Sequence, residues 1–109
     1  MIQIEISKDP NNAPGGILFD DNKSKGADIL TEVSSGDQVK WKIKNNSGIT
    51  SIDAIIDTSS VQLFSVLPTA ANGWKGTIGT LSAGSEESYK VKHTINGVQY
   101  DQDPRLIMR

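Results

Sequence analysis

His93 is the single histidine of this 109-residue chain, and cysteine is absent. These two counts remove a thiolate nucleophile, a disulfide framework, a thiolate zinc site and an iron–sulfur cluster. They also remove a blue-copper centre, which needs a Cys thiolate and two histidines. A Ser–His–Asp triad through His93 is formally open, but no G-x-S-x-G elbow accompanies it. His93 shares one face of an alternating segment with Tyr89, Val91 and Ile95. There a lone histidine is expected to pack and hydrogen-bond. A small hydrolase using His93 is therefore only a third reading, and the expected set of catalytic residues is empty.

Carboxylates are the next source of chemistry. Asp20-Asp21-Asn22 and Asp101-x-Asp103 could offer oxygens to calcium, which takes about six to eight. Their spacing matches no EF-hand loop, and turn formation with solubility is the default. Glu86-Glu87 and Asp53…Asp57 add more carboxylates. Glycoside hydrolysis needs two across a cleft, about 5–9.5 Å apart, and nothing in the sequence favours one pair. Lys40, Lys42, Lys44, Lys90 and Lys92 make two basic strand faces, one anion-attracting stripe if the strands are neighbours. No aromatic residue interleaves them, so a nucleic-acid platform is not expected. Trp41 alternates with Val39 and Ile43 and reads as core. Trp74, in Asn72-Gly73-Trp74-Lys75-Gly76, is the exposed-indole candidate for stacking on a sugar or a partner surface. The ligand-binding candidates are therefore Trp74, Asp101 and Asp103, with no metal and no cofactor expected.

Such residues must be held by strands. Leu, Ile, Val and Phe make up 27 residues, 13 of them isoleucine, enough for a core and biased toward β structure. Ile2, Ile4 and Ile6 alternate with polar residues, as do Val39, Trp41 and Ile43. Lys8–Gly16, Asp20–Gly26, Asn45–Gly48 and Leu67–Gly73 read as loops, and Ser34-Ser35-Gly36-Asp37 and Ser82–Ser85 as turns. Ala27–Val33, Ile49–Ile56, Val61–Val66 and Trp74–Leu81 are further strand candidates, the last as an edge strand. Ile52, Ile55 and Ile56 also fit helical spacing, and β-branching decides for strand. Asn96-Gly97 is a hairpin signal. Asp103-Pro104 reads as a bend before a last strand at Leu106–Met108. The expectation is one domain, residues 1–109: an all-β, antiparallel Greek-key sandwich of seven to eight strands.

Gly36-Asp37-Gln38-Val39-Lys40-Trp41 resembles the G-D-x-V-x-W opening of a core strand in the cupredoxin-like family. Leu81-Ser82-Ala83-Gly84-Ser85 followed by Tyr89-Lys90-Val91 resembles the turn and strand that lead those proteins toward their metal loop. Tyr100-Asp101-Gln102-Asp103-Pro104-Arg105-Leu106-Ile107 falls where copper proteins carry ligands and holds no Cys or His. It resembles the ending of small uncharacterised bacterial proteins that lack the copper ligands. The resemblance covers roughly residues 30–109 and implies a copper-free cupredoxin-like sandwich.

The net charge of −2 and a pI near 5.2 point to neither nucleic acid nor a membrane surface. No segment reads as a signal peptide or a membrane span, which points to the cytoplasm by default. The leading expectation is a non-enzymatic binding or assembly module with an unknown protein or glycan partner, self-association included. The alternative is a calcium-dependent or carbohydrate-binding sandwich domain.

Overall fold

The computed structural model describes residues 1–11 and 15–109. Residues 12–14 of the expected Lys8–Gly16 loop lie outside the described residues. The strands are β1 (Ile2–Lys8), β2 (Ile17–Asp20), β3 (Lys25–Gly26), β4 (Leu30–Val33), β5 (Gln38–Ile43), β6 (Ser51–Asp57), β7 (Phe64–Val66), β8 (Lys75–Ile78), β9 (Glu86–Ile95), β10 (Val98–Gln102) and β11 (Arg105–Met108). One sheet runs β3-β2-β1-β5-β8-β7. In the other, β9 pairs with β6 on one side and with β10 and β11 on the other, and β4 completes it beyond β11. No helix of the described residues is long and apolar enough to cross a membrane.

The all-β sandwich agrees with the sequence reading, but two particulars are corrected. Eleven strands are present among the described residues, not seven to eight. The excess includes short pieces such as Lys25–Gly26, inside the expected polar loop Asp20–Gly26, while the expected Val61–Val66 strand shortens to Phe64–Val66. The sheets are also mixed rather than antiparallel, since β1 pairs parallel with β5 and β4 parallel with β11. A parallel pair requires a crossover. The chain supplies one by leaving the first sheet for β4 in the second and returning at β5 beside β1.

Period-two alternation builds the core. Ile4 and Ile6 of β1, Ile17 and Phe19 of β2, and Val39 and Trp41 of β5 are all buried. From the opposite sheet come Tyr89, Val91 and Ile95 of β9 with Leu106 and Met108 of β11. The helical-looking spacing of β6 has a local cause. A register shift between Ile52 and Ala54 bulges Asp53 outward, so Ile52 and Ile55, three apart, both face the core.

The last strands correct the expected bend at Asp103-Pro104. Gln102 lies opposite Val91 and Arg105 opposite Ser88, so the register is the same on both sides of Pro104. β10 and β11 are one line of chain, interrupted where proline has no N–H for the ladder. Trp74–Leu81 is corrected as well. Its strand, β8, lies between β5 and β7, and the edge belongs to β7.

Candidate functional site

Alternation along β9 turns Glu87 inward, level with the core-facing row Tyr89, Val91, His93 and Ile95. Glu87 has no exposed surface. Its Oε1 accepts a 2.5 Å hydrogen bond from the Leu63 N–H, whose own carbonyl accepts from Gly79 N at the end of β8. The Leu63 peptide thus ties one sheet to the other. Asp57, at the end of β6, lies within hydrogen-bonding reach of Glu87. Glu87 Oε2 and Asp57 Oδ1 are both buried and find no donor. Burial, then the adjacent Asp57, push the Glu87 carboxyl up to about 8. The sequence left the Glu86-Glu87 and Asp53…Asp57 carboxylates unpaired, and the structure joins one from each. Neither carboxyl lines the two grooves described among these residues.

The larger groove, about 620 Å³, is lined by β1, β2, the turn after β2, and β4. Three of its four carboxylates, Asp20, Asp21 and Glu32, have hydrogen-bond or ion-pair partners. Asp21 accepts from Lys23 N, Ser24 N and Ser24 Oγ, and these bonds hold its carboxyl below the usual range against the opposing effect of burial. Asp20 accepts from Asn22 N, and Glu32 pairs with Arg109 at 3.2 Å. Glu5 and Asp20 sit between Lys42 and Lys25 in a cross-strand charge ladder. Among the described residues no three His, Asp or Glu side chains gather as a metal site.

His93 is fully buried, and its Nε2 lies 2.8 Å from the Gly15 carbonyl. A carbonyl only accepts, so Nε2 donates. Tyr100 covers the imidazole, ring centroids 6.1 Å apart, and its ring occupies the space that a Cβ on Gly15 would need. His93 therefore clamps the end of the Lys8–Gly16 loop to β9. This arrangement does not fit a blue-copper centre: its Nε2 is engaged and no thiolate is available. His93→Leu should cost about 1–3 kcal/mol by stranding the Gly15 carbonyl. His93→Gln, which keeps an N–H donor, should cost less. Urea unfolding midpoints check both, and a His93→Leu variant as stable as wild type would contradict the clamp.

The remaining candidates fall on separate surfaces. Asp101 is exposed on the outer face of β10, opposite Lys92, and the shared register sets Asp103 level with Lys90. Trp74 belongs to the other sheet, ahead of β8. The two lysine faces separate in the same way, so the condition for a single stripe, neighbouring strands, is not met. Lys40 and Lys42 are on β5, with Lys75 beside Lys40, while Lys90 and Lys92 are on β9 of the opposite sheet. Trp74 is half-buried and has φ 60°, a left-handed backbone otherwise held among the described non-glycine residues only by Asn22, Asn46 and Asn96. Its N–H bonds the Thr69 carbonyl at 2.8 Å and its carbonyl accepts from Trp41 N at 3.0 Å. A 3-10 turn at Ala70–Asn72, capped by Thr69, leads into it.

That turn follows β7, where the structure exposes what the sequence reading passed over. Val66 is 51% exposed, Leu67 46% and Val61 36%. Residues 58–74 carry no charge, in a chain that is 22% charged. Each of the other sheet edges carries charge. β3 carries Lys25, β4 Glu32, β6 Asp53 and Asp57, and β10, whose Val98 is 51% exposed, carries Asp101. The uncharged run was visible in the sequence. Its position on an edge was not. Comparison with protein-family models finds none that matches the chain, and comparison with curated proteins finds no significant relative.

Proposed function

We propose that this chain is a non-enzymatic assembly module that joins a second copy of itself along β7. The observation that carries the reading is an uncharged sheet edge whose apolar side chains, Val61, Val66 and Leu67, face solvent. Edge strands template further pairing unless charge, brevity or a bulge blocks it. β7 is short and irregular at Ser65, so backbone pairing alone buries little. Val66 and Leu67 supply the apolar contact, while the half-buried Trp74 beyond the turn packs against this chain's own core. Two copies meeting antiparallel would form a self-complementary two-fold interface.

On this reading the fold is a copper-free relative of the cupredoxin-like Greek-key sandwiches. The short motifs around Gly36–Trp41 and Leu81–Val91 support that affiliation. Asp101 and Asp103 remain second candidates for ligand contact, with lysines rather than a cavity beside them.

Sedimentation equilibrium tests the assembly. Wild type should rise in average mass from 11.8 kDa toward twice that value with concentration. Val66→Lys combined with Leu67→Lys should stay monomeric with an unchanged fold, because both side chains are largely exposed. A wild type that remains at monomer mass up to about 1 mM, where association contributes about 4 kcal/mol, would contradict the reading.

A further inference from the structure

Two buried carboxylate oxygens without donors, on strands that touch, call for an explanation. Glu87 Oε2 and Asp57 Oδ1 are those atoms, and their carboxyl groups face each other where β6 ends beside β9. Two carboxylates cannot both be ionised in such a site without strong repulsion. A proton between them removes the repulsion and satisfies both oxygens at once. The crossover that follows β6 is fastened at the same place. Thr58 N bonds the Ser88 carbonyl, Ser59 Oγ accepts from Ser88 N, and Leu63 N bonds Glu87. Among the described residues the titratable groups facing Glu87 are Asp57 from β6 and, on its own strand, Tyr89, whose hydroxyl burial keeps far above the usual range. Leu63 of the crossover and Leu106, opposite on β11, bring no charge. Arg105 is turned toward Glu86 and Asp28.

We propose that Glu87 and Asp57 share one proton in the folded protein, and that its loss releases the 58–63 crossover from β9, forming a pH-operated latch at the entry to β7. The latch acts within one chain and does not rest on assembly.

The direction of the effect follows from linkage. The folded Glu87 titrates near 8 against an ordinary value of 4.5. Between these values the folded chain holds a proton that the unfolded chain has released. Its stability contribution is complete below about pH 4.5 and is lost as pH rises toward 8. One retained proton changes the folding constant by up to about tenfold per pH unit across that window.

Thermal midpoints from pH 4 to 9 and hydrogen exchange at the Leu63 amide, on the intact chain, provide the test. Wild type should lose stability from pH 5 to 8, and Leu63 opening should rise by up to about tenfold per unit. Glu87→Gln mimics the protonated acid, so it should flatten both profiles relative to wild type and melt higher at pH 8. Asp57→Asn, which can donate to the Glu87 carboxylate, should flatten them as well and serves if Glu87→Gln fails to fold. Wild type and both variants keeping parallel profiles would overturn the proposal. So would a stabilisation of wild type by calcium chloride at pH 8 that both variants lack, since a cation would then replace the proton.

Discussion

Gln102→Ala lowers stability by about 2–4 kcal/mol, one of the two largest effects expected of a single substitution in this chain. Gln102 points inward from β10 and treats Ile17 of the opposite sheet as a strand neighbour. Its Oε1 accepts from Ile17 N at 2.9 Å, and its Nε2 lies 2.6 Å from both the Ile17 and Ala27 carbonyls. One side-chain amide therefore satisfies three main-chain groups that no ladder reaches. Truncation strands all three, and a buried unpaired group costs about 1–3 kcal/mol. Gln102→Glu keeps the acceptor and loses the donors, so it falls between Ala and wild type. Urea denaturation gives the ranking. A loss below about 1 kcal/mol for Gln102→Ala would show that water replaces the amide without penalty.

Trp41→Ala should cost about 3–5 kcal/mol, the range for deleting a buried aromatic ring. Trp41 is 1% exposed and packs edge-on against Tyr89 at 5.4 Å, with Phe64 at 5.8 Å. Its indole N–H donates to the Tyr89 hydroxyl at 3.2 Å. Gly76 makes room for Phe64, since a Cβ there would lie 2.8 Å from the ring. A double-mutant cycle separates the hydrogen bond from the packing. Tyr89→Phe alone leaves a buried donor unpaired and should cost about 1–2 kcal/mol. In a Trp41→Phe background the same change should cost less, because donor and acceptor are then both gone. Equal costs in the two backgrounds would mean that the bond contributes nothing.

Much of this was legible in the residues. The alternation of Ile2, Ile4 and Ile6 placed β1, and that of Val39, Trp41 and Ile43 placed β5. Asn96 and Gly97 take the positive φ values, 51° and 79°, that the hairpin between β9 and β10 requires. Trp41 and His93 were read as packed residues and are buried. Glu87 was within reach of the same reasoning, because extending the Tyr89–Ile95 row by one step puts a carboxyl in the core. Its partner was not, because the pairing of Asp57 with Tyr89 depends on a bulge at Asp53 that no local pattern announces. The parallel pairs were illegible for a related reason. Alternation states which face a residue takes and says nothing about which strand lies beside it. β3 is too short for any period to register, and β7, on which the proposed assembly depends, is only the second half of the Val61–Val66 segment read as a strand.

Hydrogen exchange of the β7 amides, compared at low and high protein concentration, tests that dependence most directly. The account predicts that Phe64–Val66 gain protection as concentration rises, while the edges at β3, β4, β6 and β10 do not, and that Val66→Lys with Leu67→Lys abolishes the gain. Concentration-independent exchange at β7, or protection that grows first at another edge, would contradict it.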